Sequence, residues 1–277
     1  MSKISVVREA LLELMAEHER DNTIPTSRQF LAYELVTRRV ISKEKTGARH
    51  PFQIVTDALT NLRESGEIPW DWIIDETRGI DDYSGFPSIK EGVLAHLRHI
   101  PLDPWKGQLV LVLTESRSLA GVLRNLANKY RVVITSTNGQ CAGFLHTKIA
   151  PLLKDAFMNG SEPPKNLYLG DYDLAGNQIQ ANTRSVLQEI CDLTLDWEHI
   201  ALTAQQVEQY ELPVILKRDR RYNDSRPHEA VETEALSQKL IMELLETKLV
   251  AMLPEPLKHV HERERRQRRA IERRVDV

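Results

Sequence analysis

The sequence predicts an α/β protein with a separate helical module at its N-terminus. Between residues 108 and 202, short apolar segments alternate with amphipathic helical ones through short links, the pattern of a parallel sheet covered on both faces. Before residue 67 the apolar positions recur only at helical spacing. Between these stretches, Gly79, Gly85, Pro87, Pro101, Pro104 and Gly107 surround a single helical segment and mark a boundary. The expected organisation is a helical module over 1–80, a linker over 81–107, an α/β domain over 108–256 and a basic helix or tail over 257–277.

The first helix follows from Val7, Ala10, Leu11, Leu14 and Met15, with Glu9, Glu13 and Glu17 opposite, and is ended by Asp21, Asn22 and Pro25. A second opens at Thr26 or Ser27 as N-cap and carries Phe30, Leu31, Leu35 and Val36. A third carries Ile54, Val55, Ala58, Leu59 and Leu62 up to Ser65-Gly66, where glycine suits the end of a helix. Residues 67–74 read as a strand or wing, making the module winged-helix-like, a unit that docks a helix on DNA. Residues 108–113 are apolar on both faces, as a central strand requires. Further strands are expected over 131–135, 166–169 and 197–202, separated by helices through Leu119–Ala127, after the glycine loop 138–143, and through Ile179 and Val186. No internal repeat is visible. Residues 261–277 carry seven arginines and four acids in a helical run without a clear apolar face.

Composition narrows the class. A chain of 277 residues with 41% apolar and 28% charged side chains builds a sizeable core, which excludes a disordered chain and a small disulfide scaffold. The longest apolar run, residues 109–113, is far too short to span a membrane, and no signal-peptide core is present, so a cytoplasmic protein without membrane association is expected. Cys141 and Cys191 stand far apart and outside any zinc-ligand spacing. The net charge of −3 hides segregation. Residues 26–50, with Arg28, Arg38, Arg39, Lys43, Lys45 and Arg49, carry +4; residues 217–226, with Lys217, Arg218, Arg220, Arg221 and Arg226, carry +3; residues 257–277 carry +4. The remainder carries −14, a distribution suited to a localised contact with DNA phosphates, with Arg28, Arg38, Arg39, Lys43, Arg218, Arg220 and Arg221 as the candidate contacts.

In a parallel α/β sheet, ligands gather at the carboxyl ends of the strands. There the first strand is followed by Glu115 and the third by Gly170-Asp171-Tyr172-Asp173-Leu174-Ala175-Gly176. In an extended segment residues i and i+2 point the same way, so Asp171 and Asp173 are expected to aim together. Carboxylates without a partnering His or Cys suit a hard cation, Mg²⁺ with Mn²⁺ as substitute, able to neutralise a phosphodiester or activate water. Competing readings stay open: Asp after a strand is a common N-cap, and Glu115 in a first helical turn favours the dipole. Haloacid-dehalogenase-type phosphatases also use a DxD pair, but after their first strand.

The combination of Glu115, Thr137-Asn138-Gly139-Gln140 and Leu169-Gly170-Asp171-Tyr172-Asp173-Leu174-Ala175-Gly176 resembles the Toprim domain of type IIA and type VI topoisomerases, bacterial primases and OLD-family nucleases. It is most similar to the version in the topoisomerase VI A subunit and related meiotic break-making proteins, over roughly residues 108–250. The resemblance implies Glu115 as general acid or base or metal ligand, and Asp171 and Asp173 as metal ligands. Glu232 and Glu234 are further candidates, with a solvated face as the competing reading. In topoisomerase VI A an Arg precedes two adjacent tyrosines, one of which attacks DNA. Here Ser27-Arg28 and Tyr33 remain, but the pair is missing and the spacing is shifted by about one residue. Metal-dependent DNA hydrolysis is therefore favoured over transesterification by Tyr33, with a non-catalytic DNA-binding or regulatory subunit and a small-molecule phosphohydrolase as alternatives. The resemblance also implies a homodimer, and, since no GxxxxGK[ST] motif occurs, a separate ATPase partner for any strand passage.

Overall fold

The computed structural model of the chain describes residues 3–43, 50, 52–74, 82–139, 141–160, 162–218 and 226–275. Three helices come first, α1 (Lys3–Arg20), α2 (Arg28–Thr37) and α3 (Gln53–Glu64). The expected stripe of α1, Val7, Leu11, Leu14 and Met15, is buried with Leu31 and Leu35 of α2 and Val55, Leu59 and Leu62 of α3. Ser27 caps α2 by accepting the Phe30 N–H at 3.2 Å. After α3, Gly66 takes φ +75° while the Glu67 N–H returns to the Leu62 carbonyl at 3.0 Å, a closure that favours glycine. The strand or wing expected over 67–74 is instead a single 3-10 turn, Trp70–Trp72, with one isolated bridge between Thr26 and Ile73. Pro69, just before the turn, has no N–H to give to a ladder.

Helix α4 (Ile89–His99) leads to β1 (Val110–Thr114), α5 (Arg117–Tyr130) and β2 (Val133–Ser136). A short α6 (Ala142–Phe144) passes through a π turn into α7 (Ala150–Asn159), followed by β3 (Lys165–Leu169), α8 (Leu174–Cys191) and β4 (Asp196–Ala201). These four strands form one parallel sheet in the order β2-β1-β3-β4, so the α/β reading holds. All five residues of β1 are buried. Val110 and Val112 face Leu123 of α5, whereas Leu111 and Leu113 face Leu153 of α7 and Leu187 of α8. That alternation explains why β1 is apolar throughout; full burial of each such side chain contributes roughly 1.5–3 kcal/mol.

Beyond the sheet come α9 (Ala204–Gln209), an antiparallel hairpin of β5 (Ile215–Lys217) and β6 (His228–Ala230), a 3-10 turn at Thr233–Ala235, α10 (Gln238–Met252) and α11 (Leu257–Val275). Helix α10 covers the α5 face with Ile241, Leu245 and Leu249. The N-terminal module is joined to this unit by buried contacts. Phe30 of α2 lies in the same core as β1 and β3, and the Gln238 amide donates to the Thr23 and Pro25 carbonyls at 2.6 and 3.1 Å. Among the described residues, no helix is long and apolar enough to cross a membrane.

Candidate active site

A cleft of about 550 Å³ opens where the start of α2 faces the carboxyl ends of β1 and β3. Glu115, Asp171, Glu232 and Glu234 line it, with Arg28 and Arg117 on its walls. Glu115 follows β1 directly, its N–H bonded to the Leu169 carbonyl of β3 at 2.9 Å. Its Oε2 accepts the Asp171 N–H at 3.0 Å. Burial, and then the charge of Asp171, pushes the Glu115 carboxyl up to about 7.

Asp171 is oriented by Thr233, whose N–H and hydroxyl both donate to Oδ1, at 2.9 and 3.0 Å. An isolated bridge between Tyr172 and Val231 brings the 231–234 segment alongside. Burial still raises the Asp171 carboxyl, outweighing the Thr233 bonds. Glycine is required at position 176, because a Cβ there would lie 2.3 Å from the Asp171 carbonyl oxygen and 3.2 Å from Glu115 Oε2. Gly170 likewise admits the Tyr168 ring, which a Cβ would meet at 2.7 Å.

Glu234 is 6% exposed and accepts the Ser116 hydroxyl at 3.2 Å, so it does not lie on a solvated face. Burial, followed by the Asp171 charge, pushes its carboxyl up to about 8. Glu232 is held by three groups of the N-terminal module. The Tyr33 hydroxyl and the Gln29 amide donate to Oε2, and the Lys43 ammonium donates to Oε1 at 2.8 Å. Burial raises the Glu232 carboxyl, but the Lys43 and Tyr33 bonds outweigh it and leave it below the usual carboxylate range. A solvated face is therefore wrong for both glutamates.

Asp173 departs from its expected place. It is the N-cap of α8, with Oδ1 accepting the Gly176 N–H at 2.6 Å and Oδ2 paired with Lys217 at 3.0 Å. It is not among the residues lining the cleft. The unpaired N–H groups at the start of α8 and the Lys217 ammonium hold the carboxylate, while its charge still adds to the burial that raises Glu115 and Asp171. Tyr33 is 6% exposed, and the cation at its hydroxyl is Lys43, whereas Arg28 reaches toward Thr56. Burial, then the bond to Glu232, pushes the Tyr33 phenol far above its ordinary range.

Of the other expected DNA contacts, Arg28 lines the cleft, Arg38 is engaged by both carboxylate oxygens of Glu17, and Arg39 and Arg218 are exposed. Arg220 and Arg221 lie outside the described residues. Sequence reasoning missed Ser116 and Thr233 as the groups that hold Glu234 and Asp171. Ser116 carries a usable signal, since it also caps α5 by accepting the Leu119 N–H at 3.1 Å. Thr233 carries none, because its role depends on a bridge between segments far apart in sequence.

Among the described residues, no three His, Cys, Asp or Glu side chains are gathered into a ready metal-ligating group. The donor set nonetheless fits a hard divalent cation. Mg²⁺ binds through one or two carboxylates and keeps several waters, and three of these carboxyls are raised first by burial and then by neighbouring carboxylates, a cost that a cation would relieve. No protein-family model matches the chain, and no curated protein or solved structure shows significant similarity to it.

Proposed function

We propose that the cleft is a divalent-metal-dependent site for DNA phosphodiester cleavage by hydrolysis, in a Toprim-like α/β domain. The observation that carries this reading is that Glu115, Asp171 and Glu234 line one cleft at the carboxyl ends of parallel strands, together with Arg28 and Arg117. Asp171 and Glu234 are the residues to hold Mg²⁺ or Mn²⁺. A bound cation supplies Lewis-acid charge to a phosphate oxygen. Asp171 keeps its orientation through Thr233, and Glu234 through Ser116. Glu115, poised at about 7, exchanges a proton near neutral pH, the property required of a general acid or base at Oε1. Arg28 and Arg117 orient the phosphate. The Tyr33 phenol is kept protonated, which favours water over Tyr33 as nucleophile. Asp173 drops to a supporting role as the cap of α8. The same reading carries a homodimer, able to cut both strands, and a separate ATPase only if strand passage occurs.

The test is nicking of supercoiled plasmid in Mg²⁺ or Mn²⁺. Wild type and Tyr33→Phe are expected to nick alike, and Asp171→Ala and Glu115→Gln to lose at least about 100-fold in rate. Loss of activity in Tyr33→Phe, with a covalent protein–DNA adduct trapped from wild type by denaturant, would instead establish transesterification. A wild type that shifts DNA in a gel but nicks no faster than Asp171→Ala would establish a non-catalytic DNA-binding subunit.

A further inference from the structure

The side chains of α11 divide into two sets. One anchors the helix: Val260 is 1% exposed, Glu264 accepts the Leu102 N–H at 3.0 Å, and Arg268 donates to the Leu97 and Ile100 carbonyls at 2.9 and 3.1 Å. Arg263 is consumed by a bidentate pair with Glu255. The other set faces solvent. Arg265, Arg266, Arg269 and Arg273 are exposed, have no carboxylate partner among the described residues, and line a shallow groove of about 520 Å³ on the helix surface. Glu262 is the one acid in that groove, so the face carries a net excess of three positive charges.

We propose that this face of α11 is a second nucleic-acid contact, a sequence-independent clamp on the phosphate backbone of duplex DNA. Four guanidinium groups left unpaired on one rigid helix repel one another, so an anionic partner relieves a standing cost. From Arg265 to Arg273 the helix rises about 12 Å, the axial length of three to four base steps at ~3.4 Å each, so successive arginines can meet successive phosphates. The groove is lined by arginines, Glu262 and Ala270 on the surface of a helix fixed to the protein along its other side, which suits contact with backbone phosphates more than entry into a groove to read base edges. A lipid surface fits worse. A membrane-binding helix buries large apolar side chains opposite its basic face, whereas the opposite face of α11 packs against the protein, and Ile271 is the large apolar side chain it leaves exposed. The contact is separate from the cleft: α11 is tied to α4 and to residues 100–102, on the path into the amino end of β1, while the cleft lies at the carboxyl ends of the strands.

The experiment is fluorescence anisotropy of the full chain with a labelled duplex of arbitrary sequence in EDTA, over a salt series. Removing divalent cations makes the result independent of whether the cleft cleaves. Replacing Arg265, Arg266, Arg269 and Arg273 together by Gln is expected to weaken binding at least ~10-fold and to reduce the slope of log K against log salt by about 3, while the fourfold Arg→Lys variant keeps the slope. Unchanged melting by circular dichroism shows that both variants fold. Equal affinity and slope in wild type and the Gln variant overturn the proposal. So does a wild type that binds no duplex, including one that sediments with phosphatidylserine vesicles instead.

Discussion

Glu234 is a carboxylate with 6% exposure, set beside Asp171 and Glu232, and its carboxyl is pushed up to about 8 by burial and then by those charges. A folded-state value above the ordinary one means that the folded chain holds the proton more tightly than the unfolded chain. The resulting stability is complete below about pH 4.5 and is lost as pH rises through about 8. In EDTA, urea unfolding of wild type is thus expected to show stability falling over this window, by at most ~1.4 kcal/mol per pH unit for each such group. Glu234→Gln is expected to flatten part of that slope up to about pH 8, and Glu115→Gln a further part up to about pH 7; equal slopes in all three proteins would contradict the burial of these charges. Tyr168 poses a different problem. Its ring is 1% exposed beneath Gly170, and its hydroxyl has no hydrogen-bond partner among the described residues. Removing an unsatisfied buried hydroxyl relieves its desolvation cost, so Tyr168→Phe is expected to raise unfolding stability by about 1 kcal/mol or more; a loss of stability would reveal a partner for the hydroxyl.

At the scale of elements, the start of α8 decides which aspartate serves the cleft. Asp173→Ala removes the cap and is expected to cost about 1 kcal/mol, whereas Asp173→Asn keeps a capping oxygen and changes stability little, since Lys217 is half exposed and its pair contributes weakly. Calorimetric unfolding of the two variants checks this, and equal losses would remove capping as the role of Asp173. Strand β1 was the most legible because it is a short apolar run buried on both faces, whereas β4, with Asp196, Glu198 and His199, shows its apolar character only at Trp197, Ile200 and Ala201. The β5–β6 hairpin was not legible: strands of three residues are too short to show a period of two. Residues 67–74 misled for the opposite reason, since Trp70, Trp72, Ile73 and Ile74 have the composition of a strand while the chain makes a 3-10 turn.

For the whole molecule, the consequential contact is that of the N-terminal module with the strand ends. Tyr33, Lys43 and Gln29 reach Glu232, and Ser27 meets Ser118 at 2.6 Å, so the cleft is walled by both parts of the chain. A cation held there has to displace the proton from Glu234, which couples its affinity to pH. Mg²⁺ or Mn²⁺ at a hundredfold excess over Kd adds ~2.7 kcal/mol, or roughly 5–10 °C in Tm for a chain of this size. The shift is expected to be larger at alkaline than at mildly acidic pH, to persist in Asp173→Asn and to vanish in Asp171→Asn. Differential scanning fluorimetry measures it, and no shift with either cation at either pH would remove the metal from the proposed mechanism.

By itself the sequence determined the parallel α/β class, and it pointed to the strand ends and to Glu115 and Asp171, which the structure places in the wall of one cleft. These follow from local patterns: apolar runs, glycine punctuation, and polar residues at the ends of runs. Only the tertiary structure decided that Asp173 caps a helix, that Glu234 is buried against Ser116, and that Tyr33 is locked to Glu232. Those outcomes depend on contacts between segments as much as about 200 residues apart, and on which of several donors a carboxylate meets first once the chain is packed.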